Sequence, residues 1–180
     1  QTEQDTRHFA HFSKLPVFDP SSPEEAYEMM LQAFELSERY SNPVLFRPTT
    51  RVCHGCATME IGEKKVNNTE GFIKDSKWVI FPHASFLNHQ KIEKRNPIIG
   101  DEFSLSPFNF VKGKGKKGIA TGGISYEYTM EALGDNSLKV FKVGTPFPFP
   151  EKLALEFLDG LDEVLVVEEL DPVIERELIY

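Results

Sequence analysis

Cys53-His54-Gly55-Cys56 is the local pattern with the most chemical potential in this chain. Two cysteines separated by two residues let both thiolates reach one zinc or cluster iron, or close a redox disulfide. A structural tetrahedral site needs four ligands, and the chain has no second cysteine pair to supply them,. His54, His83 and His89 could complete such a site, but nothing in their spacing requires it. Haem attachment would need a histidine after the second cysteine, and Ala57 stands there,. No metal is therefore expected, with Cys53 and Cys56 kept as the alternative. His8 and His11 lie three apart, which is ligand spacing and equally the spacing of an ordinary amphipathic helix,. Gly122-Gly123 could offer amides to an anion but lacks both the dinucleotide fingerprint and the P-loop lysine and hydroxyl,. Glu168-Glu169 could hold a metal or a basic partner, although solvated carboxylates at a sheet edge explain it as well. No complete catalytic set emerges, and none of these residues is expected to be catalytic on its own.

The elements that would position these groups alternate. Thr2 or Asp5 can cap a short helix through Phe12, Pro16 to Phe18 is a short apolar stretch, and Asp19-Pro20 turns the chain,. Ser22 followed by Pro23, Glu24 and Glu25 is a strong helix start, with a hydroxyl cap, proline at the first helical position and acids in the first turn,. The helix is predicted to run to about Tyr40. Its apolar positions Ala26, Met29, Met30, Ala33, Phe34 and Leu36 are expected on one packed face, with Glu25, Glu28, Glu35 and Glu38 outward,. Val44-Leu45-Phe46 reads as a buried strand running into Arg47-Pro48-Thr49-Thr50-Arg51, the kind of strand end at which α/β proteins meet ligands,. Between Cys53 and Val111 the pattern is irregular, with a strand expected at Trp78 to Phe81 and an amphipathic helix from Leu87 to about Arg95. From Gly118 it sharpens into strand Gly118 to Gly123, helix Ile124 to Leu133 with Tyr126, Met130 and Leu133 on one side, and strand Leu138 to Val143. Helix Glu151 to Leu158, strand Glu163 to Glu168 and a helix opening at Asp171-Pro172 complete it. Strand and helix alternating with short loops imply a parallel sheet.

Composition bounds the possibilities. With 180 residues, 40% of them apolar and 15 of them Phe, the chain can pack one domain or two small ones, and disorder is excluded for its bulk,. Two cysteines rule out a disulfide framework,. No apolar run approaches the ~20 residues of a spanning helix, and no basic start precedes an apolar stretch, so the expectation is a soluble, cytoplasmic protein with no membrane partner. Residues 1–50 net −4, residues 51–150 net +4 and residues 151–180 net −8. An acidic end of this size repels a phosphate backbone, so nucleic acid is not an expected partner, and Lys112, Lys114, Lys116 and Lys117, interleaved with glycine, read as a solvated turn,.

Three stretches of the first segment, QDTRHFA at 4–10, DPSSPEEAYEM at 19–29 and NPVLFRPTTRV at 42–52, resemble the pyrimidine-binding domain of the 2-oxoacid:ferredoxin oxidoreductases. The nearest likeness is to the α subunits that act on indolepyruvate. GIATGGISYEYTMEAL at 118–133 and residues 142–180, with PFPFPEK and EELDPVIE, resemble the transketolase C-terminal-like domain of the same subunits. The likeness is weaker from Gly71 to Val111. The resemblance implies an α/β fold: the C-terminal part of a thiamine diphosphate pyrimidine-binding domain at 1–58, a linker region at 59–112 and a small parallel-sheet domain at 113–180. It also implies oxidative decarboxylation of an aryl 2-oxoacid to an aryl-acetyl-CoA by a full enzyme holding thiamine diphosphate, Mg2+ and [4Fe-4S] clusters. CoA would be co-substrate, and the β subunit and ferredoxin would be partners.

The family's Gly-Asp-Gly diphosphate motif with a later Asn-Asn is absent, since Gly100-Asp101-Glu102 and Gly134-Asp135-Asn136 do not match it. A start at Gln1 without methionine reads as a fragment, expected to be inactive and to bind no cofactor alone. By resemblance the turn before the first helix faces the active-site cleft. Gln4, Asp5 and Arg7 are thus candidates for substrate or cofactor contact, Arg7 as a bidentate donor to a carboxylate, with Arg51 and His54 as second choices,. Where family members carry a Ser-His pattern after Thr-Thr-Arg, this chain has Cys53-His54-Gly55-Cys56.

Overall fold

The computed structural model describes residues 4–62, 71–75, 79–134 and 138–179. Helix α1 (Arg7–Ser13) leads to strand β1 (Val17–Phe18), helix α2 (Pro23–Tyr40), strand β2 (Leu45–Phe46) and helix α3 (Thr50–His54). Strands β1 and β2 pair in parallel, with Val17 opposite Leu45 and Phe18 opposite Phe46. After α4 (Pro82–Ser104) come β3 (Phe110–Lys112), β4 (Lys117–Gly122), α5 (Ile124–Leu133), β5 (Lys139–Val143), α6 (Glu151–Leu158), β6 (Glu163–Val167) and α7 (Val173–Ile179). The second sheet has the order β3-β5-β4-β6. Its three C-terminal strands are parallel, as the alternation with helices demands, but β3 joins β5 antiparallel, so the sheet is mixed.

Local chemistry explains most of the helix starts. Ser22 accepts the Glu25 amide at 3.2 Å and Pro23 takes the first turn of α2,. Before α1 the expected cap differs: Thr2 lies outside the described residues, and Asp5 Oδ1 accepts the Arg7 amide at 3.0 Å while Thr6 occupies the cap position. Four expectations give way. Val79, Ile80 and Phe81 are not in a strand, Trp78 lying outside the described residues, and the helix expected at 87–95 runs instead over Pro82–Ser104 through Pro97. Its last turns are held by burial of Ile99, Gly100 and Phe103, which outweighs the amide bond lost at proline,. In α2 only Met29, Ala33 and Leu36 are buried, whereas Met30 and Phe34 face outward and Glu25 turns inward. In α5 the buried positions are Ser125 and Thr129, because small side chains allow the helix to approach the sheet closely, with Tyr126, Met130 and Leu133 half-buried.

Two apolar clusters result. Phe18, Met29, Leu36, Ile99, Phe103 and Phe108 form the first, around α2 and the end of α4. Ala120, Phe141, Val143, Phe149, Phe157 and Ile174 form the second, with Phe141 packed 5.3 Å from Phe157 between ring centroids. Gly144 joins them: a side chain there would meet the Phe108 carbonyl at 2.7 Å and Met29 Cε at 2.8 Å. The Gly144 carbonyl accepts the Asp19 amide, and Val17 donates its amide to Phe147, each at 2.8 Å.

Asn109 locks this junction. Its Nδ2 donates to the Phe103 carbonyl at 2.8 Å and Thr145 Oγ1 at 2.6 Å, while its Oδ1 accepts the Gly144 and Thr145 amides at 2.8 and 3.1 Å. Asn109→Ala leaves these buried groups without partners, and a loss of about 2–4 kcal/mol is expected in urea unfolding. A loss below about 0.5 kcal/mol would show that the junction does not depend on it.

Candidate functional site

Strands β1, β2 and β6 each end on a charged residue: Asp19 after Phe18, Arg47 after Phe46, Glu168 after Val167. Such C-terminal strand ends are the places where an open α/β sheet meets a ligand. Here they converge on one another and on the segment before α1.

Arg7 is the centre. Its side chain is 3% exposed, against 0% for Asp5 and 8% for Glu168. Nη2 donates to Asp5 Oδ2 at 2.5 Å and to the carbonyls of Glu169 and Asp171 at 2.7 and 2.8 Å. Nε donates to Asp5 at 3.0 Å and Nη1 to Glu168 Oε2 at 2.7 Å. Glu168 in turn accepts the amides of Val173, Ile174 and Glu175, which start α7 and have no helical partners of their own,. Arg47 Nη1 holds Asp19 by both oxygens at 3.0 and 3.1 Å, and its Nη2 lies 3.8 Å from Asp5. At Gly123, φ +52°, a Cβ would come within 3.3 Å of both Asp19 carboxylate oxygens, so the turn after β4 closes against this pair,.

Electrostatics follow the geometry. Burial raises the Asp5 carboxyl, but hydrogen bonds from the Arg7 side chain and amide and the charges of Arg7 and Arg47 outweigh it and hold Asp5 below the usual range,. Burial pulls Arg7 down while Asp5, Glu168 and Asp19 raise it further, and the net is upward. At Asp19 burial wins over Arg47 and Arg7, and its pKa is pushed up to about 6.

Asp5 and Arg7, both expected at a cleft, are thus brought together and spend their hydrogen bonds on each other and on the end of β6. Gln4 is exposed beside them. Arg51 is exposed in α3, its guanidinium 5.7 Å from the Tyr128 ring centre, and His54 is exposed at the end of that helix. Cys53 and Cys56 are exposed free thiols, and no histidine or acid groups with them among the described residues at metal-ligand distances. Asp5, His8 and Asp171 do bring ligand atoms within 4.8 Å of one another. A cation there would face Arg7 and Arg47, and Asp5 is already saturated by Arg7, so the cluster is satisfied as an internal network,. The sequence places Arg47 in the strand end after Phe46 and Asp19 in the turn after Phe18, without marking either as a site residue. Their signal is a lone charge directly after an apolar strand, in Pro16 to Asp19 and in Val44 to Arg47, which shows where a charge lies and not what it pairs with.

A second polar cluster fastens α2 to the larger sheet. Lys142, buried, forms an ion pair with Glu25 and lies 4.7 Å from the Tyr126 ring centre. Ser21 Oγ donates to Glu127 at 2.9 Å and Lys112 Nζ to the Tyr126 hydroxyl at 2.7 Å.

No protein-family model matches the chain. Individual relatives do. Indolepyruvate oxidoreductase subunit IorA of Thermococcus kodakarensis is 42% identical over 99% of this chain and 29% of its own length. The subunit of the same name from Methanothermobacter thermautotrophicus is 40% identical over 99% of the chain and 30% of its own length, and that from Archaeoglobus fulgidus is 37% identical over 97% and 29%. The chain therefore spans about 30% of the length of the relatives it matches.

Two outcomes test the charged network. Arg7→Met strands Asp5 and Glu168 in a buried setting, and a loss of about 3–5 kcal/mol is expected in denaturant unfolding. An unchanged stability would return Arg7 to the role of a free ligand-binding group. Asp19 carries the pH dependence. Its folded pKa of about 6 lies above the ordinary carboxyl value of 3.8, so the folded state holds the extra proton between the two. Stability from this group is highest below pH 4 and falls as pH rises through 6, by about 3 kcal/mol at 1.36 kcal/mol per pKa unit. Asp19→Asn should remove that fall, so that the variant gains on the parent between pH 4 and pH 7 in parallel unfolding curves. A difference that stays constant with pH would sink the assignment.

Proposed function

Because the chain belongs to the family of the indolepyruvate oxidoreductase IorA subunits, we propose that it is a structural portion of the α subunit of an arylpyruvate:ferredoxin oxidoreductase. In this reading the full enzyme decarboxylates an aryl 2-oxoacid oxidatively, forms the aryl-acetyl-CoA, and passes electrons to ferredoxin with the β subunit as partner. Residues 1–58 are the C-terminal part of the pyrimidine-binding domain, 59–112 the connection and 113–180 the transketolase C-terminal-like domain. The single observation that carries it is about 40% identity maintained over 99% of the chain.

The residues present do not fit thiamine diphosphate and its Mg2+. A diphosphate-bound cation needs carboxylate or carbonyl oxygens left open to it. The buried carboxylates here, Asp5 before α1 and Asp19 and Glu168 at strand ends, are each neutralised by Arg7 or Arg47, and Glu168 is further spent on the α7 amides. No step is therefore routed through this chain's own residues, and the cofactor, clusters and CoA are assigned to the rest of the enzyme. What the chain contributes is a brace. Its two sheets are joined through Gly144, Asn109 and the arginine network, which fixes the strand ends in position. Gln4, Arg51 and His54 keep exposed polar groups and are the positions left for contact with substrate or neighbouring chain. Among the described residues no helix is long and apolar enough to cross a membrane.

The test is substrate competition in the complete α–β pair, read as ferredoxin reduction. Indolepyruvate and phenylpyruvate are expected to exceed pyruvate and branched-chain 2-oxoacids by about tenfold or more in kcat/KM, which is 1.4 kcal/mol of transition-state discrimination. Preference for pyruvate or a branched-chain acid would replace the substrate and keep the scaffold. An inactive pair with bound cofactor would instead favour an interaction domain.

A further inference from the structure

Helix α2 carries two apolar stripes, where a helix at the surface of a domain ordinarily carries one. Met29, Ala33 and Leu36 are the buried stripe. Tyr27, Met30, Leu31 and Phe34 stand at the i, i+3, i+4, i+7 spacing of another face, turned about 140° from the first at 3.6 residues per turn,. Nothing among the described residues covers it: Met30 is 36%, Leu31 46% and Phe34 65% exposed. The face extends sideways. The Tyr27 hydroxyl accepts the Gly62 amide at 3.3 Å, which brings the exposed Ile61 beside it. Leu31 also borders a hollow of about 250 Å³ floored by Pro107 and Phe108.

The rim is mainly acidic, and Arg39 on the same flank is paired with Glu102,. By the same helical geometry Glu24, Glu28, Glu35 and Glu38 lie along one flank of the apolar face, all exposed,. Among the described residues Glu24, Glu28 and Glu38 have no cationic partner. A second copy packed antiparallel across a twofold axis would set this flank against its own equivalent, and a chain of net charge −8 resists that further,.

We propose that this face is covered by a segment of the α subunit outside the region this chain spans, presenting an apolar stripe edged by lysine or arginine. The relatives supply the length for it, since the matched region is 29% of the Thermococcus kodakarensis subunit. Charge complementarity supplies the rim, because an apolar patch flanked by Glu24, Glu28 and Glu38, which have no cationic partner among the described residues, is matched by a basic-edged partner and mismatched by an acidic one,. The inference rests on membership of the family and not on which 2-oxoacid is used, so the substrate experiment and this one fail independently.

Peroxide footprinting of the complete α subunit, read by mass spectrometry, tests it. Met30 is the probe and Met29, wholly buried one residue away, is the internal control for folding. In the isolated, dilute α subunit Met30 should be protected to within about twofold of Met29, and Phe34→Asp should raise the Met30 rate about tenfold while Met29 stays protected. Glu28→Lys with Glu38→Lys should raise it as well. If Phe34→Asp exposes Met29 too, it has unfolded the core, and the parent subunit with the paired lysine variant decides. A freely reactive Met30 in the parent subunit overturns the proposal. Protection that appears only with the β subunit, or that disappears on dilution, overturns it in favour of the partner subunit or a second copy. Protection indifferent to the lysine pair overturns the basic rim.

Discussion

The buried guanidinium of Arg7 holds together residues that lie 161 positions apart in the chain. It reaches Asp5 on its own side, Glu168 at the end of β6, and the two carbonyls that follow Glu168. A charge removed from water to this degree is tolerated only when it is paired and hydrogen-bonded, and each of the three guanidinium nitrogens donates to at least one acceptor,. The consequence is positional. Glu168 is fixed where it also receives three amides of α7, so the last helix, the last strand and the first helix share one anchor. Arg47 and Asp19 repeat the arrangement at the smaller sheet and lie close enough to Asp5 to join it.

This network occupies the edge of the sheets at which an open α/β fold usually receives its ligand. Filling that edge with internal ion pairs changes what the region can do. It resists reorganisation, because displacing any one charge leaves another buried without a partner. It also consumes the carboxylates that a metal ion would need,. Such a network holds the strand ends in place, in a chain that belongs to the family of the indolepyruvate oxidoreductase IorA subunits. The second polar cluster, with Lys142 between Glu25 and the Tyr126 ring, serves the same end by binding α2 to β5.

Helix α2 shows the other side of that division of labour. Its inner stripe closes the first core, and its outer stripe leaves Phe34 more than half exposed under a flank of glutamates. One helix therefore carries two apolar faces, of which only one is covered among the described residues. The outward position of Met30 and Phe34 was hidden by the pattern itself, because a helix with two apolar faces has the same composition as a helix with one broad face.

The amino-acid order by itself determined the local structure wherever a strong local signal was present. Ser22 and Pro23 set the start of α2, and apolar runs bounded by turns set β1, β2, β5 and β6. The regular alternation after Gly118 set the parallel strands, because each of these signals acts within one turn or one strand. The likeness to the oxidoreductase subunits was legible in the same way, since it is carried by contiguous stretches. Tertiary structure decided what depends on distant partners. Pro97 sits inside a helix because burial of Ile99 and Phe103 outweighs a local penalty, and β3 joins the sheet antiparallel only because β5 offers it an edge. Arg7 looked like a donor waiting for a substrate carboxylate, and the fold places Glu168 against it instead. A charge can be read from a sequence, but the countercharge that meets it is chosen by how the chain returns on itself.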